Sequence, residues 1–249
     1  MNVSIASYSF HGLLKDGAID LFGYLESCRF RYHLDTADIW NGMLLSTEED
    51  YLKKVKTALD DRGLTLVNLC VDGAHIWEDD PQVREEHYQK ALANLRAAEI
   101  LGAKTIRIDA GVRADTFTTE QFDWIVRRFQ EYAQHAYDHG FRVGPENHWG
   151  AEVVPDNMKA ICQAVDHPGF GMLLHFRGNP GDATMAPWAM HTHISWDITE
   201  HCLEESMVML RNNGYQGCWG VEHHSARNEY HQVSIQLARV QSVLKGWHL

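Results

Sequence analysis

The stretch AAEILGAKTIRIDA, residues 97–110, decides the fold. Its first half is a helix end of alanines and aliphatics. It stops at Gly102, placed where a helix C-terminus takes a left-handed residue. Its second half is β-rich and short, as a strand buried on both faces is. The same join recurs along the chain. ALDDRG leads into LTLVNLCV (64–71), YAQHAYDHG into FRVGPEN (141–147), and MLRNNG into YQGCWGVEHH (215–224). Gly63, Gly140 and Gly214 repeat the role of Gly102.

Four more strands fit the intervals: 2–9, 33–40, 170–176 and 188–194. Eight strands at spacings of roughly 30 residues, separated by helical runs, predict a parallel sheet. Closed at eight, that sheet is a (β/α)8 TIM barrel of the α/β class. A doubly wound open sheet is the rival, but SYSFHGLLKDG after the first strand carries no G-x-G-x-x-G. Helices are expected over 48–61, 81–101, 118–139 and 200–212. Asp80 caps the second of these with Pro81 at its first position, and Thr118 or Thr119 caps the third. The connection 177–187, RGNPGDATMAP, reads as short and irregular.

The 249 residues fit one such barrel, taken as a single domain over 1–249. Apolar residues make up 45% of the chain, enough for a full core. Lys and Arg number 22 against 34 Asp and Glu, for a net charge of −12. That balance argues against a nucleic-acid or anionic-membrane partner, which needs a positive footprint. The five cysteines include no C-x-x-C pair and do not read as a disulfide framework. The N-terminus MNVSIASYSF has no secretory leader pattern, and no apolar run reaches the ~20 residues of a membrane span. A cytoplasmic location is the expectation.

Histidine is the outlier, with 16 copies. Chemistry in a TIM barrel belongs at the C-terminal strand ends, and four consecutive strands each bring a ligand type there. They supply Glu146 in GPENHWG, His175 in LLHFRGN, His193 in MHTHISWD and Glu222 in GVEHHS. Two carboxylates and two imidazoles suit Mn²⁺, Co²⁺, Fe²⁺ or Zn²⁺. His191 shares a strand face with His193 and lies one layer deeper, to pack or to orient its neighbour. A shared cation offsets the cost of burying both glutamates. It also acidifies a C–H beside a substrate carbonyl, so that Glu146 and Glu222, on opposite faces, can remove and return the proton.

PENH, HTHIS and GYQGCWGVEHH, with SIASYSF at the start and ADIW ending strand two, resemble the sugar phosphate isomerase/epimerase family of xylose-isomerase-like TIM barrels. That family includes ketose 3-epimerases, inosose dehydratases and, more remotely, endonuclease IV. The resemblance implies a metal held by Glu146, His193 and Glu222, with a substrate-contacting role for Glu152, for which a plain surface position is the alternative. The family places Asp where this chain has His175, which removes a charge and favours a softer ion than Mg²⁺. The implied activity is isomerisation or epimerisation of a ketose or keto-sugar through a metal-bound enediolate, with Mn²⁺ as the expected cofactor and Co²⁺, Zn²⁺, Fe²⁺ or Mg²⁺ as alternatives. A lyase of the inosose-dehydratase or 3-keto-glycoside type uses the same enediolate. A metal-free sugar-binding barrel is the non-catalytic alternative. An endonuclease would need further ligands, including a His where strand four reads RIDAG.

Further substrate contacts are expected from Trp40, Arg107, His148, His224 and Arg227, with an internal ion pair to Asp109 or Glu146 the alternative for Arg107. The partner is therefore a small sugar, with homo-oligomerisation left open.

Overall fold

A computed structural model describes residues 2–247. Eight parallel strands alternate with helices: β1 Val3–Ile5, β2 Thr36–Trp40, β3 Thr65–Val71, β4 Thr105–Ile108, β5 Arg142–Gly144, β6 Met172–His175, β7 Ala189–Ile194 and β8 Trp219–Val221. The pairing runs β2-β3-β4-β5 and β6-β7-β8-β1. The two halves join through bridges Ala6–Asp38 on one side and Val143–Phe170 and Glu146–Leu173 on the other. The result is the expected closed TIM barrel.

The helix-end glycines follow the sequence reading. Gly63, Gly102, Gly140 and Gly214 have φ of 61°, 70°, 77° and 83°, a region costly for residues with a Cβ. Helix Pro81–Leu101 is capped by Asp80, whose side chain accepts from the Gln82 amide. Helix Thr119–Asp138 opens with a capping box of Thr118 and Gln121. Its buried Ile125, Phe129, Tyr132 and Ala133 pack inward at helical spacing.

Several boundaries differ from expectation. The first strand stops at Ile5, because Ser9 N turns back to Ala6 O and a 3-10 turn over Ser7–Phe10 begins. The expected helix 200–212 is two pieces, Trp196–His201 and Leu203–Asn212, broken at Cys202 with φ −151°. The connection 177–187 contains helix Pro180–Met185, capped by Asn179 and started by Pro180. A Pro-Gly pair reads as irregular, yet Pro is favoured at a first helical position.

The β5–β6 seam is close and lightly stitched. A Cβ on Gly144 would lie 1.7 Å from Gly171 O, so only glycine lets the two backbones meet there. Beyond the strands, the buried Asn147 side chain completes the seam. Its Nδ2 donates to His175 O (2.8 Å) and its Oδ1 accepts from His175 N (2.7 Å). An amide side chain thus replaces a strand partner and fixes the backbone of His175.

Candidate active site at the barrel mouth

The interior of the barrel is organised from Asp38 on β2, which is fully buried. Its Oδ1 accepts from Asn68 (2.9 Å), and its Oδ2 accepts from Nε2 of His191 (2.7 Å) and of His193 (3.2 Å). Burial alone would push the Asp38 carboxyl up, but His191 and His193 hold it well below the usual range. Glycine at 220 makes room for this pairing: a Cβ there would lie 3.1 Å from His191 Nε2 and 3.3 Å from Asp38 Oδ2. An ionised Asp38 only accepts, so the nitrogens facing it carry hydrogen. The other nitrogen of His193, Nδ1, therefore points up toward the mouth.

There it meets three other groups. His193 Nδ1 is 3.4 Å from Glu222 Oε2 and 3.7 Å from Glu146 Oε1. His175 Nδ1 is 3.0 Å from Glu146 Oε1 and 3.4 Å from Glu222 Oε2. One ligand atom from each of the four lies within 4.8 Å of all the others. All four residues are buried. Burial opposes the charge on Glu146 and Glu222, yet the histidines outweigh it and hold both carboxyls well below the usual range. The carboxylates Glu222 and Asp38 in turn raise His193 well above its ordinary value against the effect of burial. The cluster thus favours positive charge at its centre. Despite that, His193 Nδ1 is buried without a hydrogen-bond partner. An orphaned imidazole nitrogen between two ionised carboxylates is a donor set that fits a divalent cation.

A cavity of about 140 Å³ opens above the cluster, walled by Tyr8, Trp40, Asp72, Arg107, His148 and His224. A second lobe of about 430 Å³ adjoins it, lined by Phe176, Arg177, Ser195 and Asp197, and shares His148 and His224 with the first. Trp40 is fixed by donating Nε1 to Asp72 Oδ2 (2.6 Å), and Tyr8 meets its ring edge-on at 5.1 Å. His224 Nε2 is 3.1 Å from Glu222 Oε2. His148 Nδ1 is 3.2 Å from Asp109 Oδ2; burial disfavours its charge, but that carboxylate raises its pKa overall.

Two of the sequence expectations for substrate contacts are overturned, those for Glu152 and Arg227, while Arg107 keeps its place on the cavity wall and also makes an internal ion pair. Arg107 reaches the cavity wall, but Nη1 is spent on Asp72 Oδ1 (2.8 Å), Asp109 Oδ2 (3.0 Å) and Val71 O (3.0 Å), and Nε lies 3.2 Å from Glu146 Oε2. The internal ion-pair alternative is thus observed. Glu152 neither lines the cavity nor faces solvent: it is fully buried, with Oε1 accepting from Ala110 N at 2.7 Å. Arg227 is exposed in the segment after β8 and does not line either lobe. Its backbone instead turns back, its carbonyl meeting His223 Nε2 at 3.3 Å. Conversely, Asp38 and Tyr8 went unread as site residues. The signal for Asp38 was present, since a carboxylate inside the apolar strand ADIW needs a buried partner.

Comparison with known proteins agrees with this architecture. Residues 31–241 match the family model described as xylose isomerase-like TIM barrel. No curated protein matches the sequence significantly. Among solved structures, the probable 3-DHS dehydratase AsbF of Bacillus anthracis superposes with TM-score 0.72 at 15% identity, covering 98% of this chain and 99% of that one. D-psicose 3-epimerase of Clostridium cellulolyticum H10, with D-tagatose, gives 0.72 at 16%, covering 100% and 98%. The 3-keto-D-glucoside 4-epimerase YcjR of E. coli gives 0.73 at 16%, covering 97% and 99%. At these identities the likeness is one of fold. Among the described residues no helix is long and apolar enough to cross a membrane.

Proposed function

The chain belongs to the xylose isomerase-like TIM barrels, and on that premise we propose that it is a divalent-metal-dependent isomerase or epimerase of a ketose or keto-sugar. The observation that carries this reading is His193 Nδ1, buried and unpartnered between two ionised carboxylates. Glu146, His175, His193 and Glu222 would hold the ion, with Mn²⁺ the favoured occupant and Co²⁺, Fe²⁺ or Zn²⁺ compatible with the same donors. Such a cation polarises a substrate carbonyl and lowers the cost of negative charge on its oxygen.

The chain's own groups supply the rest. Glu146 and Glu222 enter the cluster from just beyond β5 and β8, with β6 and β7 between them. One removes the proton alpha to the carbonyl, and the other returns a proton to the opposite face. His224, beside Glu222, and His148, on the rim, are within reach to move protons on substrate hydroxyls. Trp40 and Tyr8 offer an aromatic wall to a sugar ring. Arg107 keeps Glu146 charged and in position, and from the cavity wall it is placed to contact substrate as well. Asp38 fixes the ring of His193.

One feature favours a second reading, a lyase acting on a substituted sugar. The outer lobe of about 430 Å³ leaves room beside the inner cavity for a substituent larger than a hydroxyl. A leaving group beta to the carbanion would then be expelled instead of the carbon being reprotonated. Solvent-deuterium incorporation into a panel of ketoses and 3-keto-glycosides, with Mn²⁺ present, tests both. Label at one carbon without elimination supports the epimerase, and loss of water or aglycone supports the lyase. A protein that binds no ion and incorporates no label would be a non-catalytic sugar-binding barrel, and the proposal would fail.

A further inference from the structure

A separate set of donors meets behind the loop that follows β3. His75 and Glu78 lie in that loop, and His87 lies in the second turn of helix Pro81–Leu101. Two imidazole nitrogens point at one carboxylate oxygen: Nδ1 of His75 is 2.7 Å from Glu78 Oε1, and Nδ1 of His87 is 3.4 Å from it. The three ligand atoms lie within 4.8 Å of one another. The rings are 5.3 Å apart at 83°, so their edges converge on the carboxylate rather than stacking. His87 Nδ1 is buried and makes no hydrogen bond.

The surroundings hold these groups in place. Ile76 N and Trp77 N donate to Asp109 O (3.1 Å) and Ala110 O (2.7 Å), which ties the loop to the end of β4. Arg84 Nε donates to Glu78 O (2.9 Å) and its guanidinium lies over the Trp77 ring, so this cation is engaged away from the Glu78 carboxylate. Trp149 covers His75 at 5.2 Å. Burial, then the neighbouring His75, lowers the pKa of His87, which favours a neutral ring with a lone pair to give.

From this geometry we propose a second divalent-cation site, formed by His75, Glu78 and His87, of the zinc type with a fourth position for water. It shares no residue with the cluster at the barrel mouth. A cation here satisfies the unpaired nitrogen and clamps the β3 loop to its helix. A comparable triad, Glu99, His135 and His139, is discounted because Arg96 already pairs with Glu99.

The test is a zinc count. Chelator-treated protein is dialysed against Zn²⁺ and its metal content measured by mass spectrometry, for the wild type, His87→Gln and Glu78→Gln. The same substitutions are made in a His193→Gln background, so the count does not depend on occupancy of the barrel mouth. Each variant is expected to carry one ion fewer per chain than its parent, in both backgrounds. Both variants sit in partly exposed positions, and circular dichroism verifies that they are folded. Equal zinc content in parent and in both variants overturns the proposal.

Discussion

Glu152 offers the most quantitative test of the structure. Its carboxyl is fully buried, its Oε1 accepts from Ala110 N, and its Oε2 has no partner. Burial first, then the nearby Asp109 charge, raises its pKa well above the carboxylate range. The folded protein therefore keeps a proton that the unfolded chain has lost. A raised folded-state pKa gives stability that is fully present below the ordinary carboxylate value and is lost as pH rises through the folded value. In that window the folded state binds one more proton, so stability falls by about 1.4 kcal/mol per pH unit. Glu152→Gln keeps the shape and removes the titration. The variant should match the wild type near pH 4 and gain on it as pH rises from there. For a chain of this length the gain corresponds to roughly 3–6 °C in melting temperature per unit. Thermal unfolding of both proteins at half-unit steps from pH 4 to pH 8 measures the difference. Parallel curves across that range would show that Glu152 is not a protonated buried acid and would refute the reasoning.

Glu146→Gln or Glu222→Gln should slow deuterium exchange into substrate by ~10²–10⁴-fold, the usual weight of a general acid or base; unchanged exchange in either would remove that residue from the chemistry. Asp38→Asn should weaken Mn²⁺ binding or turnover by ~10–100-fold with the fold intact by circular dichroism, because it loosens the ring of His193; wild-type affinity and rate would show that Asp38 is only a structural partner. Gly144→Ala should destabilise by at least ~1–3 kcal/mol in urea unfolding, since the new methyl would meet Gly171 O; a wild-type midpoint would contradict the seam as described.

What the sequence revealed and what it hid follow from how far each signal reaches. The joins at Gly63, Gly102, Gly140 and Gly214 are local, so the strand–helix order and the barrel were legible in the chain itself. That Glu146, His175, His193 and Glu222 meet at the mouth was legible too, since each stands near the end of one of four consecutive strands. Contacts spanning long stretches of chain were not. The pairing of Asp38 with His191 and His193 bridges more than 150 residues. Glu152 is implied by the family resemblance alone, and only the fold shows it turned inward to the segment after β4. Arg107 was readable as a cation near the mouth, but Asp72, Asp109 and Glu146 had to be assembled around it before its charge was accounted for.

The lightly stitched seam has a bearing on how the apo and loaded proteins should differ. Glu146 stands on one lip of it and His175 on the other, joined across the gap by few backbone bonds, among them Gly171 N to Val143 O and Leu173 N to Pro145 O. An ion gripping both residues would act as a rivet across this seam. Amide protons of Gly171 and Leu173 would then trade with solvent more slowly once the ion is seated, while those of β2 and β3 would barely notice. Occupancy of the mouth and integrity of the wall would rise and fall together.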